Sequence, residues 1–394
     1  MDMPEAIEAL KQALPGSEFA STKRSAERPT SVVGIAAGET WGPVFDKLVG
    51  QGLGCQGSRS SKGGVGGLAL AGGLSLFSSR EGFISDDVIN YEIVLASGEI
   101  VNASADENAD LWRALRGGGN NFGVVTRYDM RTFQQSRFWG GALYDFQPSW
   151  AGQVEALAAE RQRADASPDT HMMMSIGYTA AFGPEPVALN QMYYTREVER
   201  PPVLDVFTGV ETQIPGLNTM RMMDLAEASR EQASDIPPNQ RYPTQPATLI
   251  AGSEIFLAAL DPVKGCEGLL CSYTLQPYAR TKLEASAAKG GNSLGLDPSL
   301  GSVVSVAFLL YWNQAGDDDQ ILSAFRGALD KMRADARARG TLVDFVYMNY
   351  SLGFQDPIGS YGAENKKHLQ TVSRKFDPEG LFQKGVPGGW KLFI

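Results

Sequence analysis

Between Gly52 and Gly73 the chain reads GLGCQGSRSSKGGVGGLALAGG, a stretch with nine glycines and no acidic residue. Glycine at this density lets exposed backbone N–H groups approach a bound group closely, or simply forms tight turns, and composition alone leaves both readings open. No G-K-[ST] ends the run, so it is not a nucleotide-binding P-loop. It also lacks the strand–G-x-G-x-x-G–helix context of a dinucleotide fingerprint. Only His171 and His368 are available for imidazole chemistry. Cys55, Cys266 and Cys271 form no C-x-x-C pair, so neither a zinc site nor a disulfide framework is signalled.

The other chemically suggestive groups have simpler explanations. Asp317-Asp318-Asp319 opens a helical pattern, where acids cap and complement the helix dipole, so no Mg²⁺ site is read from it. Met172-Met173-Met174 and Met220, Met222 and Met223 would suit the lining of a bulky apolar or aromatic small-molecule substrate, and equally suit core filling. The 394 residues carry a formal charge of −10 and no basic run, which argues against nucleic acid or an anionic membrane as partner. No segment reaches the roughly 18 apolar residues of a membrane span, and the N-terminus has no signal-peptide core, so a cytoplasmic chain is expected.

Around these groups the periodicity predicts an N-terminal helix over residues 4–13, a strand in SVVGIAAG, and a helix after Thr40 with Trp41, Val44, Phe45 and Leu48 on one face. A hairpin follows over residues 87–102, then a helix ending at Gly117-Gly118-Gly119, and a strand in NFGVVTRYDMRTF. Beyond residue 135 the glycine clusters cease. Strands are expected in FWGGALYDF, MMMSIGYTAAF, QMYYTREV, IAGSEIFLAAL, LLCSYTLQPY and SVVSVAFLLYW, with helices over 149–163, 220–234 and 317–339. The last fifty residues return to the style of the first part, with a helix over 363–375. The economical organisation is a discontinuous first domain, 1–135 and 343–394, with a second α+β domain, 136–342, inserted in it.

The ordered set GVGGL, AGGLS, Asp87-Val88, VLASGEIVNAS, DLWRALRGGGNNFGVVT, VYMNYSLGFQDPIGSYG and KFDPEGLFQ resembles the berberine bridge enzyme-like FAD-linked oxidoreductases of the vanillyl-alcohol oxidase superfamily, particularly fungal secondary-metabolism members. The resemblance runs from about Arg28 to Ile394. It implies an α+β fold: a PCMH-type FAD-binding domain closed by the C-terminus, and a substrate domain whose antiparallel sheet roofs the flavin ring. It also implies hydride transfer from a secondary-metabolite intermediate to flavin, with O₂ as final acceptor. By motif, Gly64, Val65, Gly66, Gly67, Leu68, Gly72 and Gly73 would line the flavin, and Asn121, Gly123 and Val125 its ribityl and adenine side. Tyr347 and Asn349, two apart on an expected strand and so on one face, would sit at the ring as the catalytic pair, with Tyr347 a general base or acid once a nearby positive charge or the flavin depresses its phenol. Gln276 would face the substrate.

Two departures from the family pattern set further expectations. The Arg-Gly-Gly-Gly-His loop that reaches the pyrophosphate is missing ahead of SVVGIAAG, so FAD is expected to bind weakly and without covalent attachment. The Ser17–Thr30 stretch, with Lys23 and Arg24, is the alternative phosphate contact. Ser60 stands where bicovalent members carry cysteine. A flavin-free cyclase using the inherited pocket, or a non-catalytic remnant, are the competing readings.

Overall fold

The computed structural model describes residues 31–214, 216–234 and 252–393, together with the backbone of Thr22–Arg24. The expected N-terminal helix over 4–13 and the side chains of Lys23 and Arg24 lie outside the described residues. Two antiparallel six-stranded sheets organise the chain. The first contains β1 (Thr22–Arg24), β2 (Ser31–Ala36), β3 (Leu53–Cys55), β4 (Val88–Val94), β5 (Ile100–Ser104) and β6 (Val124–Gln134). Their order is β1-β2-β6-β4-β5, with β3 also pairing β6. The second contains β7 (Phe138–Asp145), β8 (Thr170–Thr179), β9 (Val187–Tyr194), β10 (Arg221–Met223), β11 (Leu270–Tyr278) and β12 (Val303–Tyr311), in the order β10-β7-β9-β8-β11-β12.

Helices cover these sheets where the sequence period is helical. In the first unit α1 (Trp41–Val49) buries Trp41, Val44, Phe45 and Leu48, a spacing of three and four that lays all four on one stripe. The Thr40 side chain makes no capping bond; Trp41 N–H instead donates to Gly63 O at 3.0 Å. The glycine run is not an open loop throughout, because Val65–Leu70 forms a short helix, α2. Further helices are α3 (Ala109–Leu115), α4 (Trp150–Gln162), α5 (Leu225–Ser234), α6 (Gly252–Leu260), α7 (Arg280–Ala288), α8 (Asp318–Ala338) and α9 (Ala363–Phe376).

Three expectations are corrected. The segment IAGSEIFLAAL is helical over its described part, because Gly252, Phe256 and Leu260 recur every fourth residue and are the positions buried. The expected helix over 220–234 starts only at Leu225. Glu227 N–H donates to Asp224 Oδ1 and Asp224 N–H to Glu227 Oε2, both at 2.8 Å, a reciprocal cap that fixes the helix start and releases Arg221–Met223 to pair with β7. The VYMNYSL segment is no strand: Met348–Tyr350 is a single 3₁₀ turn.

One core holds the first sheet with α1, α2, α3 and α9, and it also takes in Tyr278, Leu283 and Leu294. The second core lies between the second sheet and α4, α6 and α8, with Trp150, Leu157, Phe256, Phe308, Phe325 and Met332. No helix among the described residues is long and apolar enough to cross a membrane, and no group of three or more His, Cys, Asp or Glu among them is placed to hold a metal.

Segment 280–296 is tied to the first sheet by buried ions. Lys289 Nζ lies 2.6 Å from Asp87 and 2.9 Å from Glu81, while the buried Arg116 guanidinium donates to the carbonyls of Lys289, Gly291, Asp86 and Val88. Burial pushes the Asp87 carboxyl up to about 7, against the pull of Lys289, with Glu81 adding to the rise. The folded chain therefore holds this proton at pH values where an unfolded chain, near 4, releases it, so the associated stability is complete below about pH 4 and is lost as pH rises towards 7. Urea denaturation should show stability falling by on the order of 2 kcal/mol between pH 5 and pH 8, and Asp87→Asn should flatten that slope. An unchanged slope in the variant would place the titration elsewhere.

Candidate active site

Strand alternation gives the second sheet a face of mixed character turned towards the first unit, whose core takes in Phe138, Tyr193, Met223 and Tyr278. Antiparallel pairing of Leu275 with Met174 and of Gln276 with Ser305 puts His171, Met173, Ser175, Thr274, Gln276, Tyr278 and Ser305 on the face away from α4, α6 and α8. Met172, Met174, Ile176, Tyr273 and Leu275 take the opposite face and are core. The methionine triplet thus splits by strand parity: Met172 and Met174 fill the core, whereas Met173 Sδ meets Arg59 Nη1.

α2 is joined to this face through the Met348–Tyr350 turn, where Asn349 reaches Leu68 O and Tyr350 reaches Gln276. Its start is fixed by Val65 N–H donating to Glu39 O at 3.0 Å, and Tyr128 of β6 donates to Gly66 O at 2.7 Å. Its end is held by the N–H groups of Gly117 and Gly119, which both donate to Leu70 O at 3.0 Å. A Cβ at Gly64 or Gly67 would meet nothing within 4 Å, so these two backbone positions border open space. The first-turn amides of so short a helix have few intrahelical acceptors. Gly72 and Gly73 adopt φ of +96° and +80°, and a Cβ on Gly73 would lie 2.7 Å from Ile84. Glycine is therefore required there by backbone conformation as well as by space.

Tyr347 and Asn349 meet despite the absence of a strand. The 3₁₀ turn brings Asn349 Nδ2 to 2.8 Å from the Tyr347 hydroxyl, and the same amide reaches Leu68 O at 3.3 Å and Ala71 O at 3.4 Å. Asn349 thereby clamps the Tyr347 phenol to the end of α2. Tyr347 is buried, and burial together with the neighbouring Tyr350 raises its pKa, against hydrogen bonds from Asn349 and Gly73 N–H. Burial thus holds the Tyr347 phenol protonated here, with its oxygen accepting from Asn349.

Two residues that the sequence reading did not single out complete the bridge. Arg59 Nη2 donates to the Tyr350 hydroxyl at 2.7 Å, and Tyr350 donates to Gln276 Oε1 at 3.1 Å. Tyr350 closes the Tyr-x-Asn-Tyr motif and was recoverable from it. Arg59, 291 positions away in the chain, carried no local signal. Gln276 thus sits at the junction of the sheets.

The remaining residues carried over by motif lie elsewhere. Asn121 spends both amide hydrogens on Gly118 O and Trp390 O, at 2.7 and 2.8 Å, and its Oδ1 accepts from Gln383. Its side chain anchors the C-terminal tail. Gly123 packs against β4, where a Cβ would fall 2.6 Å from Val94 O, and Val125 pairs with Ile93 inside the first sheet.

The FAD ring fits what these residues provide. Gly64 and Gly67 offer open backbone, and on the second sheet His171 Nε2 is buried without a hydrogen-bond partner, while Tyr278 Oη and Ser305 Oγ are buried with no well-formed bond beyond their approach to one another. Unmade hydrogen bonds at buried groups are costly, which is what a site awaiting a polar heterocycle and its substrate would show.

Comparison with known proteins agrees. Residues 22–104 match the family described as FAD binding domain. The chain is 37% identical over 377 residues to the FAD-dependent monooxygenase FUP4 of Fusarium proliferatum, covering 92% of this chain and 72% of that protein. It is 35% identical over 378 residues to the FAD-dependent monooxygenase tpcD of Cochliobolus heterostrophus, covering 91% and 72%. In fold it resembles 6-hydroxy-D-nicotine oxidase of Arthrobacter nicotinovorans, with a TM-score of 0.73 at 18% identity over 92% of this chain and 79% of that one. A berberine bridge enzyme-like protein of Physcomitrella patens gives 0.71 at 17% identity, covering 95% and 80%. With relatives of 37% and 35% identity matched over more than two thirds of their own length, the chain belongs to the fungal FAD-dependent monooxygenases, on a fold shared with a berberine bridge enzyme-like protein.

Proposed function

We propose that the chain oxidises a small apolar or aromatic secondary-metabolite intermediate held between α2 and the polar face of the second sheet, with O₂ as final electron acceptor. The observation that carries this reading is the double bridge over the open α2 glycines: Asn349 clamps Tyr347 from one side, and Arg59, Tyr350 and Gln276 link the sheets from the other. FAD, when bound, supplies the hydride acceptor. Gly64, Gly67 and the Gly72–Gly73 turn would line its ring, whereas Gly66 faces Ala37 and Tyr128. Tyr347 donates its proton to an acceptor on the ring or substrate, Gln276 and Tyr350 orient the substrate, and the packed sheets exclude water. Reduction of added FAD by candidate aromatic alcohols under anaerobic conditions tests this reading. Bleaching that requires both substrate and the Asn349 side chain supports it, and bleaching that survives Asn349→Leu contradicts it.

The flavin is held without a cysteine thioether. Ser60 has no thiol, and Cys55 is buried in β3, where burial, with Asp87 adding, pushes its thiol up and keeps it protonated and unreactive. Acid precipitation of the FAD-loaded protein should leave the yellow chromophore in the supernatant. Colour retained on a Cys55-containing peptide would refute this.

A further inference from the structure

The least accounted-for polar side chain at the sheet interface is Lys282 of α7. It is only 2% exposed, and its Nζ lies 3.7 Å from the centre of the Phe83 ring and 3.8 Å from that of Tyr278. No acceptor for its three donor positions occurs among the described residues. Asp86, the acid whose field it senses, is already committed: Oδ2 accepts from Phe83 N–H at 2.8 Å and Oδ1 from Asn292 at 2.9 Å. Around it the Tyr278 hydroxyl and Ser305 Oγ approach one another, yet neither has a well-formed hydrogen bond, and His171 Nε2 is also unpaired. Arg59 lies near enough to act electrostatically on Lys282, His171 and Tyr278.

A lysine of this kind costs stability unless a ligand completes it. The surroundings select the ligand. Every unpaired group can donate, none is acidic, and two aromatic faces flank the amine, so an aromatic or conjugated molecule bearing an oxygen is favoured. Burial, with Arg59 adding and Asp86 opposing, drives the Lys282 pKa well below its ordinary range, which favours an uncharged amine. An uncharged amine meeting a neutral acidic hydroxyl can exchange the proton without bringing net charge into the interface, whereas a carboxylate would import a full negative charge.

We propose that Lys282, with Tyr278, Ser305 and Arg59 around it, forms a receptor for an acidic hydroxyl of the substrate, a phenol or an enol, and accepts its proton. The O–H bond of the substrate breaks, the proton bonds to Nζ, and the ammonium faces the resulting oxyanion, to which the Tyr278 and Ser305 hydroxyls donate. No electrons change hands in this step. It prepares an electron-rich substrate for the oxidation, and it rests on the proposed function only in placing that substrate between the sheets.

The test uses the full chain with 4-nitrophenol, whose phenolate is coloured, and needs no turnover, so failure of the oxidation reading and failure of this one are distinguishable. At a pH where the free probe is mostly protonated, the wild-type chain should bind it as the coloured phenolate, and Lys282→Met should weaken binding by about tenfold or more. 4-Nitroanisole, which has no proton to give, should bind both proteins equally. If Lys282→Met does not accumulate in folded form, Tyr278→Phe reads the same site with the amine in place, and about threefold or greater weakening is expected. Three results would overturn the proposal: no phenolate uptake by the wild type, Lys282→Met binding within twofold of the wild type with a lowered melting temperature, or 4-nitrobenzoate binding more tightly than 4-nitrophenol. The second would make Lys282 a packing clamp on two rings, and the third would make the cluster a plain anion site.

Discussion

Replacing Tyr347 with Phe is expected to reduce turnover by roughly 10²–10³, the cost typical of removing one preorganised hydrogen-bond donor from an active site. The phenol oxygen is held by Asn349 Nδ2 at 2.8 Å and approached by Gly73 N–H, and no acceptor for its proton occurs among the described residues. Its free capacity is therefore donation into the space between the sheets. Phe keeps the edge-on packing against Tyr350, whose ring centre is 4.9 Å away, so the melting temperature should hardly move. Steady-state rates and product distribution, with and without added FAD, read the result. Unchanged rate and products would remove Tyr347 from the active site. Altered products with no dependence on FAD would favour a flavin-free cyclisation and contradict the proposed oxidation.

The largest stability effect is expected at Gly73. Its φ of +80° is strained for any β-branched residue, and a Cβ would lie 2.7 Å from Ile84, in a turn closed by Ile84 N–H donating to Gly73 O at 3.1 Å and Ser85 N–H to Gly72 O at 2.8 Å. Backbone strain and overpacking each cost about 1–3 kcal/mol, so Gly73→Val should lose roughly 2–6 kcal/mol, much of a domain's net stability. Urea denaturation, or loss of soluble protein on expression, measures it. A loss under about 1 kcal/mol would mean that the Gly72–Gly73 turn can relax away from Ile84 and does not require glycine.

Much of this architecture is legible in the sequence because strand alternation and helical spacing are local. The stretches SVVSVAFLLYW and LLCSYTLQPY carry β-branched and aromatic runs that only a buried sheet accommodates, and they form β12 and β11. The segment IAGSEIFLAAL is equally apolar, which hid the every-fourth-residue spacing of Gly252, Phe256 and Leu260 that makes it a helix packed on α8. The Asp224 cap was visible as Asp-x-x-Glu, yet the methionines ahead of it masked the boundary. Motif order singled out Tyr347, Asn349 and Gln276 as candidates, but the protonation of Tyr347 follows from its burial, which no motif reports. Arg59 and Lys282 gain their significance only when two sheets far apart in sequence close on them.

The claim that a flavin ring lies against α2 and beneath the second sheet is tested most directly by binding of lumiflavin, which carries the ring without ribityl or phosphate. Equilibrium dialysis of lumiflavin against the full chain should give a dissociation constant in about the micromolar range, and Asn349→Leu, which unclamps Tyr347 from Leu68 and Ala71, should weaken it by roughly tenfold. The exposed hairpin variant Ser97→Ala should bind as the wild type does. Absence of lumiflavin binding to the wild-type chain, or binding indifferent to Asn349→Leu, would contradict the placement of the ring.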